Sequence, residues 1–251
     1  MLKTISAVVR HELRVVRRDI QPYVVMIIMP LLLMAFIKPA FARFDDAGNG
    51  SAQAVPGMVV MFSMFLVANV GIAFFREHGW GTWDRLRAMW VPSSAIMLGK
   101  AVAPLLVLTI QMAVLFIVGG FVFDLDVEGS IVGLGLITLA FAMTLVALGI
   151  ALVSVCQSVM QLNSFANLLT LLLAGLGGAL TPLSSLPDWA RAVSPATPSY
   201  WAMRGYRMVI VDGASAVEVL PTSAMLIAFT CGFIAVVSWR FRFEETKTHW
   251  T

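Results

Sequence analysis

Six stretches of this chain, residues 23–41, 56–75, 101–123, 131–155, 162–180 and 219–239, run for 19 to 25 residues each and are dominated by aliphatic and aromatic side chains. A helix needs roughly 20 such residues to cross a hydrocarbon core of about 30 Å. The expected fold is therefore all-α and integral to the membrane, with six transmembrane helices. Composition excludes the soluble alternative: 59% of residues are hydrophobic and 12% charged, against about 25% charged in an ordinary soluble domain. The segments between the stretches are too short for an independent soluble unit, so residues 1–251 read as one transmembrane domain. Cys156 and Cys231 both fall in apolar surroundings, which suits small buried hydrophobes rather than a disulfide framework or a thiolate metal site. A net charge of +3 is too small to suggest nucleic-acid binding.

Orientation follows from where the cations sit, because short cytoplasmic loops hold the excess of Lys and Arg. Lys3, Arg10, Arg14, Arg17 and Arg18 precede the first stretch, Arg76, Arg85, Arg87 and Lys100 lie between the second and third, and Arg240, Arg242 and Lys247 follow the sixth. These twelve share one side of a six-span topology. Only Lys38, Arg43, Arg191, Arg204 and Arg207 fall on the other, where Asp124, Asp126 and Glu128 also cluster. Both termini are expected in the cytoplasm of a multi-pass protein. A cleaved signal peptide is the rival reading of the N-terminus, since Ala40-Phe41-Ala42 has the small-x-small form of a cleavage site. The long basic segment and Lys38-Pro39 argue against it.

Residues 1–21 place Leu2, Ile5, Val8, Val9, Leu13, Val16 and Ile20 at three- and four-residue spacings, with the arginines mostly opposite. That pattern predicts an interfacial amphipathic helix able to meet anionic membrane lipids or a cytoplasmic partner.

The polar segment 76–100 carries its own helix signals. Thr82 can cap a first turn, Asp84 suits its positive dipole end, and Pro92 forbids continuation. Trp83, Leu86 and Trp90 then share one face and Arg85 points elsewhere. Such a face either rests at the membrane interface or forms a knob for a soluble partner.

The run Glu77-His-Gly-Trp-Gly81-Thr82-Trp83-Asp-Arg85-Leu86, followed by Pro92 and by Gly99-Lys100, resembles the ABC-2-type transporter permeases. Their loop reads approximately Glu-x-(x)-Gly-Thr-hydrophobic-acidic-x-Leu, then Pro, then Gly-Lys; here Trp83 stands in place of the usual Leu. The resemblance implies that residues 76–100 form a coupling helix seated on an ABC ATPase subunit, with Glu77, Gly81, Thr82, Trp83, Arg85, Leu86, Trp90 and Pro92 at the contact. It also implies two ATPase copies, a second permease as homodimer or heterodimer partner, and a bacterial inner membrane. Residues 181–207 resemble the family's short extracellular re-entrant helices, with Pro187, Trp189, Pro195, Pro198 and Tyr200 at an exit gate. A Pro-rich surface loop with interfacial aromatics is the other reading of those residues.

No G-x-x-x-x-G-K-[ST] phosphate loop is present, so ATP and Mg are expected on the partner and no cofactor or metal on this chain. His11, His78 and His249 lie in separated segments without a catalytic motif, and the chain reads as non-catalytic. All fourteen Asp and Glu fall outside the six stretches, which argues against a proton-coupled carrier. Polar residues within or beside the stretches, Asn69, Gln111, Gln157, Asn163, Asn167 and Thr170, are candidates for a transport pathway or for a dimer interface. The expected function is the permease of an ATP-driven exporter for an amphipathic or hydrophobic drug, antibiotic or lipid. Polysaccharide or glycolipid export and ATP-independent secondary transport are the alternatives.

Overall fold

The computed structural model of the protein describes residues 2–42, 50–79 and 93–240, and among them every regular element is helical. Gly81, Thr82, Trp83, Arg85, Leu86, Trp90 and Pro92 lie outside the described residues, and only the helical backbone of Glu77 is described. Among the described residues, six segments are long and apolar enough to cross a membrane.

Helix α1 (Leu2–Arg18) leads through a short break into α2 (Gln21–Phe41), the first span. Pro22 sits at the start of α2, where its missing N–H costs nothing. The second span is built from α3 (Ser51–Phe65) and α4 (Val67–Gly79), separated by one turn residue, Leu66, whose N–H reaches the Ser63 carbonyl at 3.2 Å. Helix α5 (Ser93–Phe123) starts eight residues before the third hydrophobic stretch and carries it as a single rod. Helix α6 (Ile131–Val155) is the fourth span, begun by Ser130, whose side chain accepts from the Gly133 N–H at 3.2 Å. Helix α7 (Val159–Leu176) is the fifth span. It starts three residues early because Ser158 caps it, and it ends four residues early at Gly177, followed by Gly178 at φ +83°. Two short helices, α8 (Asp188–Val193) and α9 (Pro198–Ile210), precede the last span, α10 (Leu220–Arg240).

Spans two and four form the centre. Their most hydropathic windows are 83% and 72% buried, against 17%, 22% and 28% for spans one, five and six. Gly149 explains how the two central helices come so close: a Cβ there would sit 2.8 Å from the Val70 Cβ. Small residues permit this approach where no hydrophobic force separates helix from lipid. Helix α6 also packs on α10, and the Thr144 hydroxyl lies 2.9 Å from the Leu226 carbonyl and 3.1 Å from the Thr230 hydroxyl. Cys156, at the end of α6, is buried as expected, whereas Cys231 faces outward from α10, because the outer spans turn much of their apolar surface away from the bundle.

The connections gather at two ends of the bundle. At one end, Lys38 donates to the Phe123 carbonyl at 2.7 Å and pairs with Asp124 at 3.2 Å, while Ser51 donates to the Asp124 carbonyl. Gly129 donates to the Val209 carbonyl at 2.9 Å, tying the loop before α6 to α9. At the other end, α1 lies along the beginning of α5.

Candidate functional site

Helix α1 has a half-buried face of Val8, Val9, Leu13, Val15 and Val16, but its most buried described side chain is a carboxylate, Glu12. The aliphatic residues dock α1 on α5, and the same three- and four-residue spacing carries Glu12 into the joint. Lys100, two turns into α5, meets it with Nζ 2.7 Å from Oε1. Arg76, on α4 beside the end of the second span, places Nη2 3.1 Å from Oε2.

The side chains of Lys100 and Glu12 are 1% and 4% exposed, whereas Arg76 retains 27%. A buried ion pair is sustained only when each charge is compensated and its remaining hydrogen-bond capacity is filled. Here each carboxylate oxygen receives one cation. Lys100 also donates to the Ala73 carbonyl at 3.3 Å and stands 5.5 Å from the centroid of the Phe74 ring. Three helices that are distant in sequence are thus joined at one carboxylate. Arg76 and Lys100 flank residues 77–99, so the cluster fastens both ends of the segment expected to couple to a partner.

The structure spreads the other sequence-derived residues over several roles. Thr170 donates to the Met64 carbonyl at 3.1 Å, fastening span five to span two. Gln111 donates to the Met26 carbonyl at 3.0 Å, fastening span three to span one. Asn69 lines a cleft beside Arg76 and Tyr23. Asn163 is half-buried, Asn167 is exposed on α7, and Gln157 is exposed at the turn between α6 and α7. These six do not converge on a common channel within one chain.

The segment 177–210 is bound tightly to the bundle. The Ser199 hydroxyl donates to the Leu173 carbonyl, Ser194 to the Leu176 carbonyl at 2.6 Å, and Gln53 to the Gly178 carbonyl at 2.8 Å. Thr197 caps α9 by accepting from the Tyr200 N–H, and Pro198 occupies its first turn. Pro195 accepts from the Trp201 indole at 2.8 Å, and Trp201 meets Tyr200 edge to face with centroids 5.4 Å apart. Pro187 precedes α8, and Trp189 stands outward from it, 68% exposed. Tyr206, which no sequence motif singles out, is fully buried on α9 against Phe116, with ring centroids 4.9 Å apart.

Comparison with known proteins gives this arrangement a family. The model of the ABC-2 type transporter family matches residues 3–211. The chain belongs to that family. This ABC-2 membrane domain is 28% identical to the inner membrane transport permease YhhJ of Escherichia coli over 203 residues, covering 80% of the chain and 53% of YhhJ. It is 28% identical to ABC transporter G family member 20 of Dictyostelium discoideum over 200 residues, 76% of the chain and 26% of that protein. The probable multidrug ABC transporter permease YbhR of E. coli is 25% identical over 149 residues, 57% of the chain and 39% of YbhR. The chain thus spans about half or less of the length of these curated relatives. Membership and the six apolar helices make the chain a multi-pass membrane domain of the ABC-2 type.

Proposed function

We propose that this chain is the permease subunit of an ATP-driven exporter that moves an amphipathic or hydrophobic compound across a bacterial inner membrane. Both termini face the cytoplasm, two copies of an ABC ATPase bind ATP and Mg, and a second permease completes the transporter. The observation that carries the coupling reading is the union of Arg76 and Lys100 on Glu12. A push on the segment between them reaches α1, span two and span three together, because the three helices share one buried carboxylate. The side bearing residues 177–210 is the extracellular exit in this reading, with α8 and α9 as re-entrant helices.

The cargo class is supported by the spans themselves: all fourteen Asp and Glu lie outside the six hydrophobic stretches, which suits hydrophobic or amphipathic molecules better than small ions. The test is purification of the tagged chain from its native membrane in mild detergent, with identification of co-purifying proteins and assay of ATP turnover. Recovery of a Walker-containing subunit whose turnover drops with Glu77→Gln or Trp83→Ala supports the proposal. A chain that emerges alone and transports solute in vesicles without ATP overturns it.

A further inference from the structure

Helix α1 is divided in charge as well as in polarity. Arg10, His11, Arg14, Arg17 and Arg18 are all exposed, and at about 100° per residue they fall within an arc of about 120° around the helix axis. Glu12 lies on the opposite face, in the joint with Arg76 and Lys100. Asp19, the next carboxylate, lines a cleft that it shares with Glu12, Val15 and Val16 and with none of the five basic residues. The arc therefore carries a single sign of charge, and among the described residues Arg10, Arg14, Arg17 and Arg18 belong to no ion pair. On this face an open recess of about 420 Å³ is lined by Ser6, Ala7, Arg10, His11 and Arg14. Arg10 and Arg14 stand one turn apart, about 6 Å along the axis, and the small side chains of Ser6 and Ala7 leave room beside them for a tetrahedral anion. Guanidinium forks match phosphate oxygens.

What α1 can offer a membrane is this charge, because its aliphatic face is spent on α5 and does not lie among acyl chains in the manner of a free interfacial helix. Chain connectivity puts the charge beside lipid. Arg18 is two residues from Ile20, at most about 7 Å along the chain, and Ile20, Val24, Val25 and Ile28 at the start of the first span are 40–57% exposed. Apolar surface left outside a membrane-spanning bundle is covered by acyl chains, which are as apolar as the side chains they meet. Lipids whose chains lie there carry their heads within reach of Arg17 and Arg18. A zwitterionic head would bring an ammonium to a face without a carboxylate, whereas an anionic head meets cations alone. Lipid is favoured over a soluble acidic partner because the charged face runs directly into lipid-covered surface. We propose that the arginine face of α1 binds the phosphates of anionic glycerophospholipids, one seated at Arg17 and Arg18 with its acyl chains on the start of span one, and another in the Arg10–Arg14 recess.

The test is photolabelling of the full chain in phosphatidylcholine vesicles doped with a phosphatidylglycerol that carries a diazirine in its head. Labelling is expected on residues 6–18, and unlabelled phosphatidylglycerol should suppress it. Added phosphatidylcholine, or water-soluble glycerophosphoglycerol at the same concentration, should not. Arg10→Gln/Arg14→Gln and Arg17→Gln/Arg18→Gln should each weaken the labelling about 25-fold, a factor of about five for each cation at an anionic surface. Both variants should still take up acyl-chain label from phosphatidylcholine as the wild type does, because the replaced side chains are exposed. Should either variant fail to insert, salt decides on the wild type: at 1 M, where charges are screened beyond about 3 Å, labelling of residues 6–18 should fall steeply. Equal labelling by the two lipid classes overturns the proposal, as does salt-independent labelling or an unchanged yield in both variants. Suppression by glycerophosphoglycerol overturns the lipid assignment in favour of a soluble phosphate compound. A rise in labelling when residues 241–251, with Glu244 and Glu245, are removed overturns it in favour of the chain's own acidic tail. Loss of a co-purifying protein in both variants, with lipid labelling unchanged, assigns the face to that protein instead.

Discussion

Lys100 and Glu12, 88 residues apart in sequence, meet at 2.7 Å with almost no solvent access to either side chain. A carboxylate on a basic amphipathic helix and a lysine at the start of a span are ordinary surface residues when seen separately. Joined, they turn α1 from a peripheral element into part of the transmembrane bundle. Any movement of α1 relative to span three must then move or break a buried ion pair, which makes the α1 joint stiff.

Removing both members of the pair should cost less than the two single losses added together. Glu12→Gln takes from the buried Lys100 the carboxylate it meets at 2.7 Å, and breaking a buried pair in this way costs about 3–5 kcal/mol. Lys100→Met leaves Glu12 with Arg76 alone. In the double variant Glu12→Gln/Lys100→Met neither charge is stranded by the loss of the other, so the shortfall from additivity should be about 0.5–3 kcal/mol. Thermal unfolding of all four proteins in one detergent measures this, and strict additivity would show that the pair is energetically idle.

Transport should separate from membrane insertion at the segment 77–92. Trp83→Ala is expected to lower recovery of the ATPase subunit by at least about tenfold, since truncating a central aromatic anchor commonly costs about 2 kcal/mol or more. Membrane insertion and monodispersity should stay unchanged. Equal ATPase recovery with wild-type transport would remove Trp83 from the coupling contact.

The six spans were legible because hydropathy is a local property: each stretch announces itself by length and composition. Span four is the cleanest case, with helix α6 covering the expected residues 131–155. Helix ends were harder to place, since Ser158 and Gly178 set the limits of α7 by capping geometry rather than by hydropathy. Glu12 was the least legible. Its burial depends on Arg76 and Lys100, which the chain brings to it from distant positions, and the only local signal is a lone carboxylate on the aliphatic stripe of an arginine-rich helix. Gln111 and Thr170 show the same limit, because nothing nearby in sequence identifies the carbonyls of Met26 and Met64 as their acceptors.

Acid should loosen the turn before the last span. Glu218 accepts from both the N–H and the hydroxyl of Ser215 at 2.7 Å, and these bonds hold its carboxyl below the ordinary range. A depressed folded-state pKa stabilises the turn above the unfolded value, and that contribution disappears as pH falls through the folded value. Amide exchange at Ser215 should therefore speed up below the ordinary carboxylate range, after correction for intrinsic rates. In Glu218→Gln the protection should already be reduced at neutral pH and show no further acid step. An identical pH profile in the two proteins would refute the turn assignment.

Gly177 should tolerate no side chain, and the reason can be separated from loss of flexibility. A Cβ at that position would lie 2.2 Å from the Ser199 Oγ, 2.5 Å from its Cβ and 2.8 Å from its carbonyl carbon. Gly177→Ala must therefore displace α9, along with the bond from Ser199 to Leu173, at an overpacking cost of about 1–3 kcal/mol. Ser199→Gly in the same chain removes the two closest atoms but leaves the backbone carbon, so it should recover only part of the loss. The backbone conformation at Gly177 is right-handed, so a purely conformational penalty is not expected. Melting temperatures of Gly177→Ala, Ser199→Gly and their combination decide between the two: partial rescue identifies steric contact with α9, whereas no rescue would place the cost in the chain end of α7 itself.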